Sequence, residues 1–183
     1  MLKNPIVVNP INTYFLKFVN FKEQIAVLYN AGKTVKNGKT YMKVIRSWVG
    51  VGTTSKVTFN YTNGTSVDDT YEGWKWIDQQ IEKEEVVGVF HTHPHRAKGF
   101  SCTDRMMQRG FAKANGKKLL WHGVQTPDSK AHLVCYHMPF VPHIFVYDFG
   151  WIDYNLEDEV LLLPMPIEIE PVENFNNVHL IRC

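Results

Sequence analysis

The chain has no run of eighteen apolar residues, and its first residues contain no basic flank leading into a long apolar core. A membrane-spanning helix and a cleaved secretory signal are therefore not expected. Cysteine is scarce: three residues, an odd number without paired spacing, which argues against a disulfide framework and fits a reducing compartment. Charge of one sign is scarce as well. A net charge of +2 is too small to suggest a nucleic-acid partner. Internal repeats and low-complexity stretches are missing, so a repeat array and a disordered tail array are both set aside. Asn60-Tyr61-Thr62 and Asn63-Gly64-Thr65 match the glycosylation pattern, but without a secretory signal they read as turn chemistry. What remains is a chain of 183 residues, 44% hydrophobic, long enough for one domain with a full core in the cytoplasm.

The stretch Gly88 to Asp104, GVFHTHPHRAKGFSCTD, concentrates the chemistry. Val86, Val87, Val89 and Phe90 form a β-branched and aromatic run that predicts a buried strand, and Pro94 ends it. His91 and His93 then fall at a strand end. Alternate side chains on a strand share a face, so the H-x-H spacing aims both imidazoles at one point. Ser101-Cys102-Thr103-Asp104 sets a Ser three residues before an acid, ahead of apolar helical spacing, and predicts a helix start. Asp104, Met107 and Phe111 recur at i, i+3 and i+7, which turns the carboxylate toward the protein. Two histidines and one carboxylate, with a fourth position open, form the donor set of a catalytic zinc. Taken singly, H-x-H is also a pair of core histidines, and S-x-x-D is also only a capping box.

The joint spacing, H-[ST]-H-P-x6-S-x-x-D, resembles the signature of the JAMM metalloprotease family, also called MPN-plus or JAB domains, and every position of that pattern is matched. The resemblance implies an α/β (α+β) fold with a curved, mostly antiparallel central sheet flanked by helices, of cytidine-deaminase-like architecture. It implies one zinc ion per chain on His91, His93 and Asp104, with Ser101 helping to stabilise an oxyanion. It also implies an upstream catalytic Glu at a helix-to-strand junction, for which Glu23 is the candidate. In the family a G-x-L-x-G strand pattern follows that Glu; here Ala26, Leu28 and Asn30 stand at the corresponding positions and both glycines are missing. The rivals Glu72, Glu82, Glu84 and Glu85 lie on or beside a helix of their own.

Elsewhere the pattern is coarser. Pro10 to Phe21 carries Ile11, Phe15, Phe18 and Val19 at helical spacing, and residues 25 to 29 read as a buried strand. Gly32 to Thr40 reads as a Lys- and Gly-rich turn before an alternating strand, Tyr41 to Val49, with Met42, Val44 and Trp48 on one face. Lys56 to Tyr61 predicts a further strand leading to Asn63-Gly64. In the family this region holds an extended substrate tail, or it is an ordinary hairpin. Trp74, Ile77 and Ile81 make the inward stripe of another helix. Lys117 to Gln125 and Ala131 to His137 read as antiparallel strands, followed by an aromatic strand from His143 to Trp151. Cys135 and His137 are taken as strand residues, and His122, His132, His143 and His179 have no ligand-spaced partner.

These observations divide the chain into a catalytic domain, residues 1 to 150, and an extension, 151 to 183, that wraps the domain or docks a partner. The implied activity is a zinc-dependent isopeptidase or peptidase acting after the C-terminal tail of a ubiquitin-like protein, in the compact form of bacterial or viral members. A phage tail or cell-wall peptidase and a non-catalytic MPN scaffold are the alternatives. The expected partner is a protein or peptide substrate, with no nucleic acid and no membrane.

Overall fold

The computed structural model describes residues 24–51, 77–93, 99–115, 118–140, 143–166 and 170–176. The expected helix over 10–21, the strand over 56–61, Trp74 and Glu23 lie outside these residues. Among the described residues eight strands make one sheet: β1 Gln24–Lys36, β2 Lys39–Val51, β3 Val86–Thr92, β4 Leu120–Gln125, β5 Lys130–Phe140, β6 His143–Asp153, β7 Val160–Pro164 and β8 Glu173–Asn176. Their order across the sheet is β7-β2-β1-β3-β4-β5-β6-β8. Every adjacent pair is antiparallel except β3 and β4, which run parallel. A parallel step needs a crossover, and helix α1, Cys102–Asn115, provides it. Residues 77–81 are also helical.

The helix-flanked α/β architecture implied by the family resemblance is not what the described residues form. They make a curled, mixed sheet, a half-barrel with few helices. That expectation rested on the fourteen residues from His91 to Asp104, whereas β-branched and aromatic residues along the rest of the chain extend strands of 11 to 13 residues on both sides of that window. The turn expected over 32–40 is likewise shorter. β1 continues to Lys36, and the reversal is confined to Asn37 and Gly38, whose φ values of 52° and 77° are those of a two-residue hairpin turn. Among the described residues no helix is long and apolar enough to cross a membrane.

Period-two alternation sorts the side chains onto two faces. One face carries Ala26, Leu28, Val44, Trp48, Phe90, Trp121, Leu133, Leu161 and Leu163, all buried. The other carries Ile25, Val27, Val89 and Leu120, covered by Ile77 and Ile81 and by Met107 and Phe111 of α1. Full burial of Met107 and Phe111 contributes roughly 1.5–3 kcal/mol each, enough to hold a 14-residue helix whose isolated form is marginal.

Residues 160–164 and 173–176 join the sheet: β7 pairs with β2, and β8 pairs with β6. Residues 155–158 are fastened by Arg46, which is 1% exposed. Its guanidinium donates to Gln125 Oε1 at 2.9 Å and to the carbonyls of Asn155, Leu156 and Asp158 at 2.5, 3.1 and 3.0 Å. Burial pulls its pKa down to about 10, with Asp158 and Tyr154 opposing, so the group stays charged at neutral pH. The carbonyl of Gln125 in turn accepts the N–H of His93 at 2.9 Å, which fixes the residue just beyond the end of β3.

Gly88 pairs with Trp121, and a Cβ there would lie 2.0 Å from the Trp121 carbonyl oxygen, a backbone atom that cannot yield without opening the β3–β4 pair. Gly88→Ala is expected to destabilise the protein by about 1–3 kcal/mol or more, read as a lowered urea midpoint. An unchanged midpoint would mean that β3 and β4 are not packed in this register.

Candidate metal centre

His91 is the penultimate residue of β3 and His93 follows its end, so both imidazoles leave the same face at the C-terminal end of an interior strand. Their Nε2 atoms are 3.1 Å apart. Across the crossover, α1 begins with a reciprocal capping box: the Asp104 N–H donates to Ser101 Oγ at 3.1 Å, and the Ser101 N–H donates to Asp104 Oδ2 at 2.8 Å. This holds the Asp104 carboxylate against the histidines, with Oδ1 3.4 Å from His91 Nε2 and Oδ2 3.3 Å from His93 Nε2. The three residues are 4%, 8% and 6% exposed, and their ligand atoms all lie within 4.8 Å of one another.

These separations suit a metal site as well as a loose ion pair. A charge-assisted N–H···O bond closes to about 2.7–2.9 Å. Here all three contacts are longer, and the two Nε2 atoms face each other as well as the carboxylate. Ligand bonds of about 2.0–2.2 Å at tetrahedral angles give edges of about 3.3–3.6 Å, which the observed spacings approximate. The donor set therefore fits a metal ion, and His91, His93 and Asp104 are a buried group that can hold one. Asp104 is held below the usual carboxylate range: burial works to raise it, and the charge of His91 with hydrogen bonds from both imidazoles outweighs that. An ionised carboxylate is the form a cation requires.

Of the other residues singled out from the sequence, Ser101 is exposed and bonded to the buried Asp104. Glu23 lies outside the described residues. Its neighbour Gln24 donates its N–H to Thr92 Oγ1 at 2.9 Å, between the two histidines, and the β1–β3 register sets Ile25 opposite His91. Cys102 is disulfide-bonded, where the odd cysteine count argued against a disulfide framework; three cysteines leave room for one bridge. Cys135 is a buried free thiol on β5.

Two histidines without a sequence partner acquire surroundings in the fold. His132 Nε2 donates to Asp148 Oδ1 at 2.8 Å, across the β5–β6 pair. No spacing rule links residues sixteen apart on two strands whose register is shifted by a bulge. His122, on β4, is 2% exposed, lies 5.9 Å from the Phe111 ring in a stacked arrangement and meets the Tyr136 ring edge-on. Burial, with a smaller push from His91 and against the pull of Asp104, lowers its pKa to about 3. The alternation of β4 turns His122 toward α1, but nothing in its spacing distinguishes it from an apolar strand residue.

Two outcomes follow. His122 is neutral in the folded protein and ionises near its ordinary value of about 6.5 when unfolded, so the unfolded state binds more protons between those values. Stability is then full above about pH 6.5 and falls by up to about 1.4 kcal/mol per pH unit toward pH 3. His122→Phe is expected to flatten that limb of a stability-against-pH curve, and an unaltered limb would place its cause elsewhere. For the centre itself, titration of chelator-treated protein with a divalent transition metal is expected to saturate at one ion per chain. His91→Ala and Asp104→Ala are each expected to abolish saturable uptake, and uptake that survives both would exclude this site.

No protein-family model and no curated protein matches the chain, so the reading of the site rests on its own geometry.

Proposed function

We propose that the protein is a zinc-dependent amide hydrolase, an isopeptidase or peptidase, with one zinc ion held by His91, His93 and Asp104. The observation that carries this is the convergence of two imidazole nitrogens and a carboxylate, 3.1–3.4 Å apart, at one buried point with an exposed Ser beside it. The reading stands on the site and not on the fold, since architecture alone does not establish chemistry. Zinc in a site of this kind supplies a hydroxide nucleophile at neutral pH and polarises a carbonyl.

The chain's own groups then divide the work. Asp104 would neutralise part of the cation's charge, and with the two neutral imidazoles it would fix the cation's position. Glu23 takes the proton of the attacking water and returns it to the leaving amine, a transfer that contributes about 10²–10⁴-fold. The entry of β1 beside Thr92 supports this role, because Glu23 immediately precedes Gln24. Ser101 Oγ already accepts the Asp104 N–H, which leaves its own hydrogen for the oxyanion that forms as the amide carbonyl is attacked. With its Oγ occupied as an acceptor for the helix N-terminus, Ser101 is suited to donation and not to nucleophilic attack. The substrate class is an extended peptide or isopeptide, of which a ubiquitin-like tail is the first to try.

The test is cleavage of a linear and an isopeptide-linked ubiquitin-like fusion by zinc-loaded protein. Glu23→Gln is expected to retain zinc and lower kcat by about 10²–10⁴-fold. Ser101→Ala is expected to lower it by about 10²–10³-fold. A zinc-loaded wild type that leaves both fusions intact would withdraw the ubiquitin-like substrate, and failure on general peptide substrates as well would withdraw the hydrolase.

A further inference from the structure

His132 lies on the same face of the sheet as His91 and in the same cross-strand row: His91 pairs with Val124, Val124 with His132, and His132 with Trp151. Two strand spacings separate His91 from His132, about 10 Å, and the Phe100 ring lies between them. Ring centroids are 6.2 Å from Phe100 to His91 and 5.0 Å from Phe100 to His132. His132 itself is fixed from several sides. Asp148 Oδ1 accepts its Nε2–H at 2.8 Å and is held in place by the Gly150 N–H at 2.8 Å. The Trp151 ring stacks on it with centroids 5.3 Å apart.

The carboxylate can only accept, so Nε2 carries the ring hydrogen and Nδ1 faces the other way. There it meets Gly99, where a Cβ would lie 2.6 Å from Nδ1. Gly99 has φ +88°, a conformation other residues rarely adopt, and it is followed directly by Phe100 and by Ser101, the cap of α1. The contacts thus form a chain from Asp148 to His132, to Gly99 and Phe100, to Ser101, and through the capping box to the Asp104 carboxylate.

We propose that His132 and Asp148 are a positioning pair that sets the 99–101 segment, and through it Asp104, against His91 and His93. This rests on the metal reading of the centre and adds to it the residues that hold its third ligand. Stability alone gives a weak account of the pair. Val134, Ile144 and Val146 pack nearby on this face, and apolar residues in place of a mostly buried His–Asp pair are often neutral or stabilising. What a hydrogen-bonded ring supplies that an apolar side chain does not is a fixed orientation, here the flat surface on which Gly99 and Phe100 rest. Outer residues that orient a ligand typically account for about 10–100-fold in metal affinity.

The test compares zinc affinity, by competition with a chromophoric chelator, with the melting of chelator-treated protein. The variants are His132→Leu, Asp148→Asn and a control in the opposite core, Leu163→Ala. Both members of the pair are expected to lose about 10–100-fold in affinity, while Leu163→Ala lowers the melting temperature and leaves affinity unchanged. Gly99→Ala is also expected to weaken zinc binding, because the added Cβ would meet the ring that sets this segment. Unchanged affinity in both pair variants, or losses that follow melting temperature across all three proteins, would overturn the proposal beside a zinc-binding wild type. A wild type that takes up no zinc would overturn the metal reading and this inference with it.

Discussion

The parallel step from β3 to β4 governs the arrangement of the centre. Strands that run the same way cannot be joined by a tight turn, so the chain must leave the C-terminal end of β3, return along one face of the sheet and enter β4 from its beginning. The return path is α1, and its N-terminus is thereby brought over the end of the strand it has just left. The carboxyl ends of parallel strands are where open sheets tend to place their ligands, for this geometric reason. His91 and His93 occupy that end and Asp104 the first turn of the returning helix, so three donors close in sequence meet because the sheet changes direction there.

The capping box explains why the meeting is tight. In the sequence, S-x-x-D has two readings, a helix cap and a ligand signature, and the structure supports both with one side chain. Asp104 Oδ2 accepts the Ser101 N–H and faces His93, while Oδ1 faces His91. Satisfying the helix N-terminus removes the carboxylate's rotational freedom before any cation arrives. A donor already held in place loses less entropy on binding, so the helix cap and the candidate metal site share one arrangement.

Legibility in the sequence followed the range of the interactions. The buried run Val86 to Phe90, the H-x-H end, the helix opened by Ser101 and the β4–β5 hairpin are encoded by neighbours within a few residues, and each could be read. The extent of β1 and β2 could not, because Gly32 and the lysines around it resemble turn composition until Asn37-Gly38 is given its two positive φ values. The architecture was misjudged for a related reason: a fourteen-residue motif specifies a site, whereas the balance of strand and helix is set by the whole chain. His132 and Asp148 were opaque because their meeting depends on a hairpin register altered by a bulge, and Arg46 because its partners lie 79 to 112 residues away.

Among the described residues the two outermost strands of the sheet, β7 and β8, follow the other six in sequence, and they close opposite edges. Synthesis therefore completes the six described inner strands before the two that pair with their borders, and each unpaired border is a template for pairing with another chain. Since β7 must find β2 across more than a hundred residues, closure is a late, high-contact-order event. The interval before those final strands dock is when this protein is most exposed to self-association, and a truncation ahead of residue 160 would make that interval permanent.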